Sequence, residues 1–375
     1  MNGSSFRPSA RMAGLIAAGV TAAFAYAAQA QHEHHHGHDM AGDHTVHHLK
    51  ANAQAPVGVM GDHLHKPGGW MFSYRFMRMA MEGNRIGTDA VSAETIATTI
   101  PNPNAPPPTL RVVPTRMPMN MHMFGAMYGV TDWLTVMLMG MYIEREMDHT
   151  TFMGGMGANV LGGFTTRSSG FGDTKLSGLI RVYEEDGHHI HLNAGISFPT
   201  GSIDETDDVL TPMGTMPVLT LPYPMQIGSG TWDLVPGITY TGSGGAVGWG
   251  AQYLATLRLD TNDAGYSLGD EHRLTAWASY GFADWISASL RLAGQSIGRI
   301  DGRDLRIAAP VQTAVPEFHG GERLDIGIGV NLAGQKGFVK GQRVAVEFMV
   351  PVVQDLNGPQ METDWSFTVG WQYSF

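Results

Sequence analysis

The chain has 375 residues, 43% of them hydrophobic and 15% charged, with 49 Gly, 20 Pro, 24 Met, 17 His and no Cys. Its 23 Lys and Arg against 34 Asp and Glu give a net charge of −11 with no basic cluster, which excludes a nucleic-acid partner. Without Cys there is no disulfide scaffold, thiolate zinc, iron–sulfur cluster or Cys nucleophile, and beyond the N-terminus no apolar run reaches the ~18 residues of a helical membrane span.

Residues 1–30 read as a secretory signal. Arg7 and Arg11 precede an apolar stretch from Met12 to Ala28, and the small-residue pattern Ala28-Gln29-Ala30 marks cleavage after Ala30, so the mature chain is exported. Residues 31–69 read as a disordered His-rich metal-binding segment, because ten His lie among Gly, Asp and Ala with too little apolar surface for a core. Neutral imidazole suits Cu(II), Ni(II) and Zn(II), and a flexible strand wraps an ion without a preformed cage; His32, His34, His35, His36, His38, His44, His47 and His48 are the candidate ligands. The letters His32-Glu33-His34-His35-His36 match H-E-x-x-H, but that motif needs a helix and a third ligand, so the match is accidental.

From residue 70 to 375 the sequence falls into stretches of about ten residues, apolar on one parity and mixed on the other. Trp70, Phe72, Tyr74 and Phe76 alternate in the first stretch, Leu134, Val136, Leu138 and Tyr142 in another, and Trp365, Phe367, Val369, Trp371, Tyr373 and Phe375 in the last. Similar segments lie near 119–129, 173–183, 190–198, 230–241, 246–259, 270–280, 285–295, 322–332 and 342–351. Short connections (129–133, 184–187, 241–245, 281–285, 333–337) alternate with long ones (82–118, 148–172, 199–229, 260–269, 296–321, 352–364). That alternation predicts an all-β, transmembrane, antiparallel up-and-down barrel of about 12 strands with both termini on the short-turn, periplasmic side. A lumen of that width cannot be filled by side chains, so the apolar parity faces lipid. Tyr128, Trp133, Tyr280, Trp285, Tyr373 and Phe375 then form an inner-rim aromatic girdle.

Three stretches carry a resemblance: Gly170–Tyr183 (GFGDTKLSGLIRVY), Leu192–Ile203 (LNAGISFPTGSI) and the turn Tyr128-Gly129-Val130-Thr131-Asp132, with a terminal aromatic at Phe375. Over roughly residues 110–375 the chain resembles the outer-membrane channel family named for the phenol meta-degradation pathway. The resemblance implies a barrel whose terminal aromatic addresses the barrel-assembly machinery, set in outer-membrane lipid, and passive uptake of small, often hydrophobic molecules.

The methionines depart from that pattern, since fifteen of the 24 fall between Met71 and Met156. In the first three strands all have odd numbers, opposite the lipid parity, which turns Met71, Met77, Met79, Met81, Met119, Met121, Met123, Met127, Met137, Met139 and Met141 into the lumen. A thioether is a soft, neutral, weak donor for Cu(I), and weak exchangeable sites are what conduction requires. His189 and His191 share the lumen parity near the inner rim, whereas His122 falls on the lipid parity and receives no metal role. No Walker sequence or helix-opening G-x-G-x-x-G is present, so no enzyme activity is expected. The leading expectation is a non-enzymatic channel, requiring no cofactor, that handles copper or another transition metal. The alternatives are a passive channel for hydrophobic or aromatic small molecules and a non-conducting metal-buffering protein.

Overall fold

A computed structural model describes residues 50–375; the signal sequence and the candidate ligands from His32 to His48 lie outside them. Twelve long strands follow in chain order: β1 Trp70–Gly87, β2 Val112–Gly129, β3 Leu134–Phe152, β4 Val160–Phe171, β5 Thr174–Glu185, β6 His188–Phe198, β7 Asp233–Gly244, β8 Val247–Arg258, β9 Glu271–Ala283, β10 Ile286–Ile297, β11 Gly321–Ala333 and β12 Gln342–Ser374. Apart from β4, each pairs antiparallel with the next strand round the ring, and β12 returns to β1, closing the sheet. Closure leaves no edge, which a sheet in lipid requires.

Eleven of these elements make the ring, because β4 pairs only with the outer half of β3 and continues into β5 past Gly172 and Asp173. The last element supplies two legs. Its first half pairs with β11 and its second with β1, while Ser374 donates its N–H to Gly341 O at 2.9 Å and Gln354 and Thr363 exchange hydrogen bonds. The wall therefore has the twelve staves read from the alternation. Trp70 and Phe375 exchange two backbone hydrogen bonds of 3.0 Å, which places the start and end of the barrel on the rim of short turns.

The two faces fall as the parity requires. Phe72, Phe124, Leu138, Leu192, Leu234 and Leu290 are exposed on the outer wall, and Trp133, Tyr280, Trp285 and Phe375 are exposed at the short-turn rim. His122 belongs to this outer face, its Nδ1 2.8 Å from the Tyr74 hydroxyl. The strands run further outward than the alternation suggested. Residues 352–364, expected as a loop, are strand, and β2 and β3 extend to Val112 and Phe152. Beyond the lipid no apolar face is required, so in Glu144–Asp148 the period of two fades while the ladder continues.

The long connections pack over the outer mouth. Tyr223, Tyr266, Ile300, Ile307 and Val311 make one apolar cluster, and Ile96, Leu110, Val113, Phe152 and Val315 another. A short helix, α1 (Ala93–Thr99), starts where Ser92 Oγ accepts from the Thr95 N–H. The buried guanidinium of Arg111 gathers this cap by donating to the carbonyls of Ala97, Met153 and Gly157 at 2.7–2.9 Å. A buried charge held by three carbonyls is costly to break, so Arg111 fixes the helix against two loops.

Residues 50–69 depart from the disordered segment expected up to residue 69. From Lys50, beside the 284 turn, the chain crosses the inner mouth of the lumen and leaves at Gly129. Ala51, Ala55, Val57 and Val59 are buried. The run Ala51–Met60 carries no charge and no His, unlike the residues before it, and its small apolar side chains fit inside the wall.

Candidate functional site

The lumen is bounded by this inner plug and the outer cap. Polar side chains of the wall hold the plug by its backbone: Ser287 Oγ donates to Ala51 O (2.9 Å), Ser279 Oγ to Asn52 O (2.7 Å) and Gln252 Nε2 to Met60 O (2.9 Å). His191 Nε2 meets Gly61 O at 2.9 Å, Thr135 Oγ1 accepts from the His65 N–H at 2.9 Å, and Arg343 donates to Ala55 O. A buried plug backbone without strand partners needs such donors. Asp62 is the plug's buried acid. Burial raises its carboxyl, but His63, Arg343 and the Ala55 N–H together outweigh that and hold it well below the usual carboxylate range.

Between plug and cap lies a cavity of about 530 Å³, within the ~300–1,000 Å³ of small-molecule pockets. One wall is thioether and aliphatic: Met79, Met81, Met117, Met119, Met121, Met141 and Ile143. The opposite wall is charged, with Lys175, Asp233, Arg258, Glu271 and Arg323. These charges largely neutralise one another, since Arg258 meets Asp233 at 2.5 Å, Arg323 meets Asp325 at 3.0 Å and Arg273 pairs with Glu271. Lower in the lumen Arg291 meets Glu347 at 2.7 Å. Tyr223, Pro224, Gln226, Ile227 and His319 roof the cavity from the outer loops. Burial lowers His319 to about 4, against the pull of the Thr313 carbonyl, 3.1 Å from its Nε2, and of Glu317.

The structure puts every candidate methionine on the lumen side, but not in one open track. Cross-strand register sets Met71 against Met127, Met77 against Met121, Met79 against Met119 and Met81 against Met117 between β1 and β2. Between β2 and β3 it sets Met123 against Met141 and Met127 against Met137, with Met139 opposite Gly125. The inner rungs serve the plug: Met71, Met127 and Met137 pack with Leu179 and Leu64. The outer end serves the cap, where Met117 and Met147 pack with Leu221 and Met225. The middle group, Met77, Met79, Met81, Met119, Met121 and Met141, gathers round Ile143 and Ile227 at the cavity.

The two rim histidines also have structural work. His191 is buried against the plug carbonyl, and His189 Nδ1 lies 3.4 Å from Glu184 Oε1. Among the described residues no group of three His, Asp or Glu is placed to hold a metal ion. The plug and its catches escaped the sequence reading, although the change of composition at Ala51 marks where they begin.

A family model described as "Putative MetA-pathway of phenol degradation" matches residues 147–339, just over half of the chain. No curated protein matches. Among solved structures, an outer membrane channel from Pseudomonas putida F1 is 12% identical with a TM-score of 0.54, over 84% of this chain and 99% of that one. The transport unit of an autotransporter from Escherichia coli is 10% identical, with a TM-score of 0.45 over 88% and 97% of the two chains. The TodX monoaromatic hydrocarbon channel is 9% identical, with a TM-score of 0.43 over 83% and 91%. The first of these likenesses shows the fold, an outer-membrane β-barrel.

Proposed function

The chain belongs to the family of the MetA pathway of phenol degradation, and on that premise we propose that it is an outer-membrane channel for small hydrophobic, chiefly aromatic, solutes. The carrying observation is the lumen cavity, with an apolar methionine wall facing one of paired charges. An aromatic body lies against polarizable thioethers, whose contacts with rings are favourable, while a hydroxyl or carboxylate turns to the opposite wall. Passage through a binding site of this kind needs contacts that are weak and renewable, and dispersion against Met meets that condition.

In this reading residues 1–30 direct export, the termini face the periplasm and the protein is a conduit, not an enzyme. Copper as the transported species, the leading expectation from composition, gains nothing from the family or from the solved channels, so the hydrophobic-solute alternative takes its place. The His-rich residues before the plug then buffer divalent metal at the periplasmic side, a role separate from the lumen.

Expression in porin-deficient cells tests the proposal. Initial uptake of labelled toluene should rise several-fold over vector-only cells. Uptake equal to the vector control, with the folded barrel present in the outer membrane, would overturn it.

A further inference from the structure

The middle of the methionine wall sets four thioethers on two adjacent rungs. Met77 and Met121 face each other across β1 and β2, and Met79 and Met119 face each other one rung further out. Side chains directly opposite on one face of a sheet have Cβ atoms ~5 Å apart, and successive same-face rungs are spaced by ~7 Å. Each Met has three rotatable bonds, so the four side chains on such a rectangle have the freedom to bring their sulfurs to one point above its centre. All four pack in the same cluster, and Met79, Met119 and Met121 border the cavity, which leaves a route to them.

We propose that Met77, Met79, Met119 and Met121 form a binding site for a soft monovalent cation, Cu(I) or Ag(I). Thioethers are soft and uncharged, so they select such ions over the hard and borderline divalent ions that carboxylate and imidazole favour. Two arginines flank the site: buried Arg75 lies one rung inward of Met77 on the same face of β1. Arg145 stands opposite Met119 on β3, with its guanidinium tied to the carbonyls of Pro224, at 2.7 Å, and Gln226 in the cavity roof. Their charge opposes the ion and keeps the site exchangeable. The site goes beyond the passage of hydrophobic solutes and does not depend on it.

Thioether ligands carry no proton, which gives the site a signature. Imidazole, with a pKa of about 6.5, loses its metal on acidification, whereas the methionine site keeps its ion. The test is calorimetric titration of the detergent-folded full chain with silver nitrate at about pH 5, where the His-rich segment is protonated, and again at about pH 7.5. One Ag(I) should bind with an affinity that changes less than about two-fold between the two conditions. In the fourfold variant M77L/M79L/M119L/M121L, whose near-isosteric Leu side chains keep the barrel folded, it should fall at least about ten-fold. Should that variant misfold, the pair M77L/M121L removes one rung and should still weaken Ag(I) about five-fold. Unchanged affinity in a folded variant, or loss of all binding at the acidic condition, overturns the proposal. Failure of toluene uptake with Ag(I) binding intact would remove the channel reading and leave this site standing.

Discussion

His319 shows how a single residue of the roof links the cap to pH. Burial holds its imidazole down to about 4, with Nε2 at the Thr313 carbonyl and the ring edge against Tyr223. A base whose pKa is lower in the closed cap than in a released one binds more protons when released. The contribution of His319 to cap stability is therefore complete above about pH 6.5, declines as the pH falls, and is lost near pH 4, up to ~3 kcal/mol. Amide exchange of residues 312–320, corrected for its intrinsic pH dependence, should accelerate over that interval. H319Q, which still donates to Thr313, should flatten the response; equal acceleration in the variant would acquit His319. At this scale the sequence was informative only where pattern and chemistry coincide. The odd parity of Met77, Met79, Met119 and Met121 placed them in the lumen correctly. Arg111, by contrast, is an isolated cation in a loop, and the three carbonyls that define its role come from two segments, α1 and the 153–157 loop, brought together only by folding.

Among the elements, the strands were legible because lipid imposes a period of two. β5 to β11 lie within a few residues of the segments read from alternation. The plug had no such period. It lies across the lumen without strand pairing, held by side chains from at least five strands, so no local pattern announces it. Its mark is instead in the wall, at a position where a side chain would not fit: a Cβ on Gly248 would stand 2.0 Å from Asn52 O. Gly248→Ala should accordingly lift residues 51–53 off the wall without unfolding the barrel, since overpacking of this kind typically costs ~1–3 kcal/mol. The chain has no cysteine, so a single V57C reporter is a clean probe of the seat. Its maleimide labelling should be slow in the parent and many-fold faster with Gly248→Ala. Gly140→Ala, where an added Cβ meets nothing within 4 Å, is the control and should leave the rate unchanged. Slow labelling in both variants would mean that the plug does not rest on Gly248.

For the molecule as a whole, plug and cap are two resistances in series with the cavity between them. Conductance through such an arrangement is set by the larger resistance, so opening one end alone changes little. Deleting residues 51–66 frees the inner mouth. Tyr223→Ala loosens the outer one, because the Tyr223 ring lies 4.8 Å from that of Tyr266 and its hydroxyl accepts from the Asp304 N–H at 3.2 Å. In planar bilayers the parent and each single variant should show small conductances, and the combined variant a conductance well above the sum of the two single increments. A large current from the plug deletion alone would show that the cap leaks and that the inner mouth is the only barrier. A combined effect equal to the sum would mean that the two ends bound separate paths. The supra-additive outcome follows from closure: the wall has no edge from β1 round to β12, so an ion crosses only by passing both mouths.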